Sequence, residues 1–205
     1  MATNLRIKAQ WFKPEQARNP LQTGSAMAFI AFRVSVNMLK RMRDAGFDID
    51  AGPAYFGFVR EVLLFLVTGI DRLASAQLSA EERAAFTGAL VRRVAEFLEE
   101  NEADLLGASP AQGTDYRGLF IDQFNLLAEH YAEFDWTAAD GPDFGYMRYL
   151  GSRLEPLLPE KDRNWVIDQV MAIEAPEAVG MIQRAMADVF STEPRRARRE
   201  GTTGE

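Results

Sequence analysis

Between Pro53 and Ala76 the chain carries apolar side chains on almost every side of a would-be helix. Phe56, Val59, Leu63, Leu66, Ile70 and Leu73 step by three and four, the spacing of a packed helix seam. Phe58, Val62, Leu64, Phe65 and Val67 cover most of the rest, leaving Gly57, Glu61, Thr68 and Arg72 as a narrow polar stripe. A helix this apolar is either the centre of its bundle or part of a subunit interface, and both readings stay open. Phe58 and Phe65 are the interface candidates it offers.

The segments on either side also read as helices. One runs from about Leu21 to Ala45, with Met27, Ile30, Val34, Met38 and Met42 on one face, and Gly46 ends it. Ser79 and Glu82 form a capping box that opens a third helix reaching about Leu106. A fourth spans about Asp115 to Phe134, burying Phe120, Phe124, Leu127, Tyr131 and Phe134, and Trp136 to Gly141 reads as a turn. Pro142 opens a fifth helix, and Pro156 and Pro159 kink or restart the chain. A sixth, about Glu160 to Glu174, buries Trp165 or Val166 together with Val170 and Ile173, and Ala175-Pro176 starts a seventh. The expected fold is therefore all-α, a single-domain bundle of six or seven helices over residues 21–191. Gly57, Gly69, Gly88, Gly118, Gly145, Gly151 and Gly180 lie in or near these helices at a cost of about 1 kcal/mol for each interior glycine. Close approach of neighbouring backbones explains such glycines, with a helix spacing opened for a ligand as the alternative.

The first twenty residues have no helical period. Leu5, Ile7, Ala9 and Trp11 alternate with Arg6, Lys8 and Gln10, so residues 1–20 read as an extended basic arm. Residues 192–205 lack apolar side chains other than alanine and read as a disordered tail.

Charge is split along the chain. Residues 1–43 hold eight basic side chains against one acidic, a net of +7; residues 44–192 carry −15 and residues 193–205 carry +1. An acidic body repels phosphates, so no nucleic acid is expected as a partner. The basic arm is expected to meet the acidic body, within one chain or across a dimer. No stretch reads as a signal peptide or a membrane span, so no membrane is expected and the expected compartment is the cytoplasm.

The 205 residues include no cysteine and one histidine, which excludes disulfides, thiolate metal sites and a catalytic thiol. A carboxylate-bridged di-metal bundle needs Glu-x-x-His on two helices, whereas His130 is preceded by Glu129 and followed by Glu133. His130, Glu129 and Glu133 are retained as a possible polar site, although a solvated face explains them as well. Asp48-Ile49-Asp50 begins like a calcium loop, but its twelfth position is Val59 rather than a glutamate. Phosphate-binding glycine loops and the serine-nucleophile motif are absent, so no catalytic, metal or cofactor site is assigned.

Trp11, Phe12 and Lys13 are the remaining interface candidates, because aromatic side chains anchor segments in apolar grooves. The leading expectation is a non-enzymatic protein-interaction module that pairs with another protein or with itself as a homodimer. The second is a helical small-molecule binder, its pocket lined by some of the fourteen phenylalanines and eight methionines. Acidic all-helical proteins of about this length also occur among maturation chaperones of redox enzymes, which carry an acidic-Pro-x-Asp-His stretch. Asp140-Gly141-Pro142-Asp143-Phe144 matches part of it, with Phe144 in the histidine's place, and a cytosolic assembly chaperone is the third reading.

Overall fold

The computed structural model describes residues 19–50, 52–106, 115–137 and 140–191, and these form an all-α structure. The helices are α1 (Pro20–Asp44), α2 (Pro53–Ser75), α3 (Ala80–Leu106), α4 (Tyr116–Ala132), α5 (Phe144–Leu154), α6 (Glu160–Gln169) and α7 (Ala175–Phe190). The arm over residues 1–18, with Trp11, Phe12 and Lys13, and the tail from residue 192 lie outside the described residues.

Local chemistry sets the helix ends. The Asn19 side chain accepts a hydrogen bond from the Leu21 amide at 3.0 Å, capping α1 ahead of Pro20. At the other end Gly46 takes a φ of 95°, which lets the Phe47 amide donate back to the Met42 carbonyl at 3.1 Å. The capping box forms as the sequence implies: the Ser79 amide donates to Glu82 Oε2 at 3.0 Å, and the Glu82 amide donates to Ser79 Oγ at 3.3 Å.

Helix α2 is the centre of the bundle. Every residue from Glu61 to Ile70 is buried, and α1, α3, α4, α5 and α7 all pack against it. This resolves the choice between core and interface. Phe58 and Phe65 are 0% and 1% exposed within one chain, so they face other helices of the same bundle and offer no surface to a partner. Helix α1 lies along α3 in the same direction, with Gly24 against Phe86 and Ala89 and with Phe29 and Phe32 on Phe97.

The polar stripe of α2 receives α4 and α5. Glu61 accepts two hydrogen bonds from Arg153 of α5. Thr68 Oγ1 lies 2.7 Å from the Tyr146 hydroxyl of α5, and Arg72 donates to the Tyr131 carbonyl of α4. Burial of these groups is tolerable because each is paired.

Three local features depart from the sequence reading. The segment read as a turn is a short antiparallel hairpin, β1 (Trp136–Thr137) and β2 (Gly141–Pro142), in which Trp136 pairs with Pro142. Its Trp136 ring packs where a Cβ on Gly69 would come within 2.9 Å, which accounts for that mid-helix glycine. Helix α5 begins at Phe144 rather than Pro142, because the Asp143 side chain caps the Tyr146 amide. Between α6 and α7 the chain does not break but widens into a π turn at Val170–Glu174. Pro176 has no amide hydrogen and its ring crowds the carbonyl four residues back, and the wider turn accommodates it. Of the pair Trp165 and Val166, Val166 is buried and Trp165 is 67% exposed, while Ile173, expected inside, is 44% exposed.

Candidate interaction site

The short turn between α2 and α3 brings Asp71, near the end of α2, beside the first turns of α3. Arg83 Nε donates to Asp71 Oδ1 at 3.0 Å, its Nη2 contacts Oδ2 at 2.5 Å, and Thr87 donates to Oδ1 at 2.5 Å. Arg83 and Thr87 are four apart, so both reach one carboxylate from a single helix face. The hydrogen bond to Asp71 raises the Arg83 pKa above its ordinary value.

Above this cluster α3 and α4 enclose a groove of about 620 Å³. Ala80, Ala84 and Gly88 recur every fourth residue of α3 and keep its wall low. A Cβ placed on Gly88 would meet nothing within 4 Å, so this glycine borders open space. Val91 of α3 with Ile121 and Phe124 of α4 provide the apolar walls. Further along, Arg117 of α4 lies 3.6 Å from Glu96 of α3 and ties the two helices. On the outer face of α4, Leu119 and Leu126 are 44% and 59% exposed, two turns apart on one stripe. The groove's polar floor is already engaged in three hydrogen bonds at Asp71. What it presents to a ligand is mainly apolar wall, an arrangement suited to binding.

Glu129, His130 and Glu133 share the α4 surface and are all exposed. The His130 ring lies 6.1 Å from that of Tyr149, an aromatic neighbour on α5. Among the described residues no group of three or more histidine, aspartate and glutamate side chains is placed to hold a metal ion. The Asp140–Phe144 stretch serves the hairpin and the α5 cap, with the Thr137 hydroxyl donating to Asp140 Oδ2 at 3.2 Å.

Sequence reasoning did not single out the Asp71, Arg83 and Thr87 cluster. The signal for it was present: a four-residue turn, capped by Ser79, that must fold the end of α2 back onto the start of α3. Among the described residues no helix is long and apolar enough to cross a membrane. Comparison with protein-family models, curated proteins and solved structures finds no match for this chain.

Proposed function

We propose that this protein is a protein-interaction module that self-associates as a homodimer, with the α3–α4 groove as its binding surface. One observation carries the reading: the groove's walls, Val91 of α3 with Ile121 and Phe124 of α4, are apolar, and the polar groups of its floor are already paired with one another at Asp71. Apolar grooves are the surfaces on which aromatic anchors gain most. Trp11 and Phe12 of the basic arm are such anchors, and the arm joins the chain just before α1, which packs on another face of α3. The test is sedimentation equilibrium on the full chain and on a W11A/F12A variant. Dimerisation of the full chain, weakened in the variant, supports the reading. A full chain that stays monomeric at every concentration overturns it.

A second reading has one observation in its favour. The groove volume falls within the range of roughly 300–1,000 Å³ found for small-molecule sites. Native mass spectrometry of gently purified protein separates the two: a bound small molecule released on unfolding favours this reading, and bare protein favours the first.

A further inference from the structure

A second groove, of about 430 Å³, lies between the end of α1 and the outer face of α6. Phe47 and Trp165 are its aromatic members, and Asp162 and Asp168 lie one turn before and one turn after Trp165. Among the described residues Trp165 is the most exposed of the large hydrophobic side chains, at 67%. An indole left this open is unusual, because tryptophan is highly buried on average. Asp162 receives the Asp48 amide at 2.8 Å, and Lys161 pairs with Asp48 at 2.9 Å. Asp168 is exposed, and among the described residues nothing pairs with it. The groove also faces the C-terminal end of α1, at Ala45 and Gly46, where the helix dipole favours positive charge. An open indole, a free carboxylate and a helix C-terminus all select a cation, and a planar one above all. A guanidinium can lie on the indole face while its edge pairs with a carboxylate.

The chain carries a segment of that chemistry. Arg195, Arg196, Arg198 and Arg199 follow shortly after Ser191, the last described residue. Helix α7 separates the tail from its own groove: its sixteen residues span about 24 Å, and Ala172, on the groove, lies before it. Phe190 packs on Phe86 beside Gly24, and α1 carries the chain about 31 Å from Gly24 to Ala45 on the groove. Eight residues of extended chain from Ser191 to Arg199 span at most about 29 Å, so even the last of these arginines needs a fully stretched chain to approach the groove of its own copy. We infer that this groove receives the arginine-rich segment Arg195–Arg199 of a second copy of the chain, with a guanidinium on the Trp165 indole paired to Asp168. This rests on the homodimer reading and names a second contact for it.

The test uses a fluorescently labelled peptide of residues 192–205 and the full chain in which the four tail arginines are replaced by alanine, which leaves the groove free. Anisotropy should show saturable binding that weakens with added salt. Trp165→Ala should weaken it about fivefold to tenfold. Asp168→Asn should weaken it as well, and Trp165→Phe should retain part of the affinity. Absence of binding, or binding unchanged in both Trp165→Ala and Asp168→Asn, overturns the inference. This titration does not require the chain to dimerise. Failed peptide binding by a chain that still dimerises therefore counts against this groove alone. A wild-type chain that is monomeric by sedimentation refutes the homodimer, and a second-copy occupant with it.

Discussion

Arg153 grips Glu61 with a two-pronged hydrogen bond, Nε to Oε2 at 3.0 Å and Nη2 to Oε1 at 2.6 Å, and so joins α5 to the central helix α2. The Glu61 side chain is 11% exposed and that of Arg153 is 38% exposed, so the carboxylate is the buried member of the pair. Removing the arginine strands a charge inside the bundle, which costs more than the pair itself contributes. Solvent access to Arg153 moderates the penalty. Arg153→Ala should lower stability by about 1–3 kcal/mol in urea unfolding. Replacing both partners at once, E61M/R153M, should cost less than the single change.

Tyr146 is fully buried, and its hydroxyl donates to the Phe65 carbonyl at 3.0 Å. Burial pushes its pKa well above the ordinary tyrosine value, and burial does the same to Tyr131, whose ring centroid lies 4.6 Å away. The folded protein therefore holds these protons after the unfolded chain has lost them. Their contribution to stability is complete below about pH 10 and is lost as pH rises through the folded values. Circular dichroism at rising alkaline pH should show unfolding that begins in this window. The double variant Y131F/Y146F, weaker at neutral pH, should lose stability less steeply there.

Glu102 sits near the end of α3 with its side chain 5% exposed, and Arg60 approaches it only to 3.4 Å. Burial raises its pKa, an effect that Arg60 partly offsets. Because the folded value lies above the unfolded one, this carboxyl favours the fold at acid pH and loses that contribution as pH rises through the folded value. Glu102→Gln mimics the protonated acid at every pH. It should raise stability by roughly 1 kcal/mol at neutral pH, with no gain below about pH 4, as thermal melts across pH would show.

Gly24 and Gly88 should respond in opposite directions to alanine. A Cβ on Gly24 would lie 2.3 Å from the Phe86 carbonyl oxygen, so α1 and α3 would have to separate. Gly24→Ala should cost about 1–3 kcal/mol, whereas Gly88→Ala, facing open space, should gain about 0.5–1 kcal/mol through helix propensity. Denaturant midpoints of the two variants decide this.

These two glycines also show what could be read from the sequence. Local patterns of spacing, proline and capping residues identified the seven α-helices of the described residues, with the Ser79 cap and the Gly46 stop, because those depend on neighbours a few residues away. It also marked Gly88 as a helix-interior glycine, but one-dimensional spacing carries no information on whether such a glycine borders a neighbouring backbone or open space. Arg153 and Glu61 are 92 residues apart, so their pairing follows from helix packing rather than from any local pattern. The polar stripe of α2 was legible; that α4 and α5 cover it was not. Trp165 and Val166 are adjacent, and a helix face with few apolar neighbours, from Glu160 to Gln169, left the choice between them undecided. The π turn that carries Ile173 to the surface shifts the register, which a constant helical period cannot anticipate.

The most direct measurement for the proposed binding surface is amide hydrogen exchange on the full chain as a function of protein concentration. Self-association through the α3–α4 groove should increase protection with concentration over residues 80–92 and 119–126, and a Gly88→Leu variant that fills the groove should lose this dependence. Exchange in both segments that is the same at every concentration, in a chain that nonetheless dimerises, would contradict the groove as its interface.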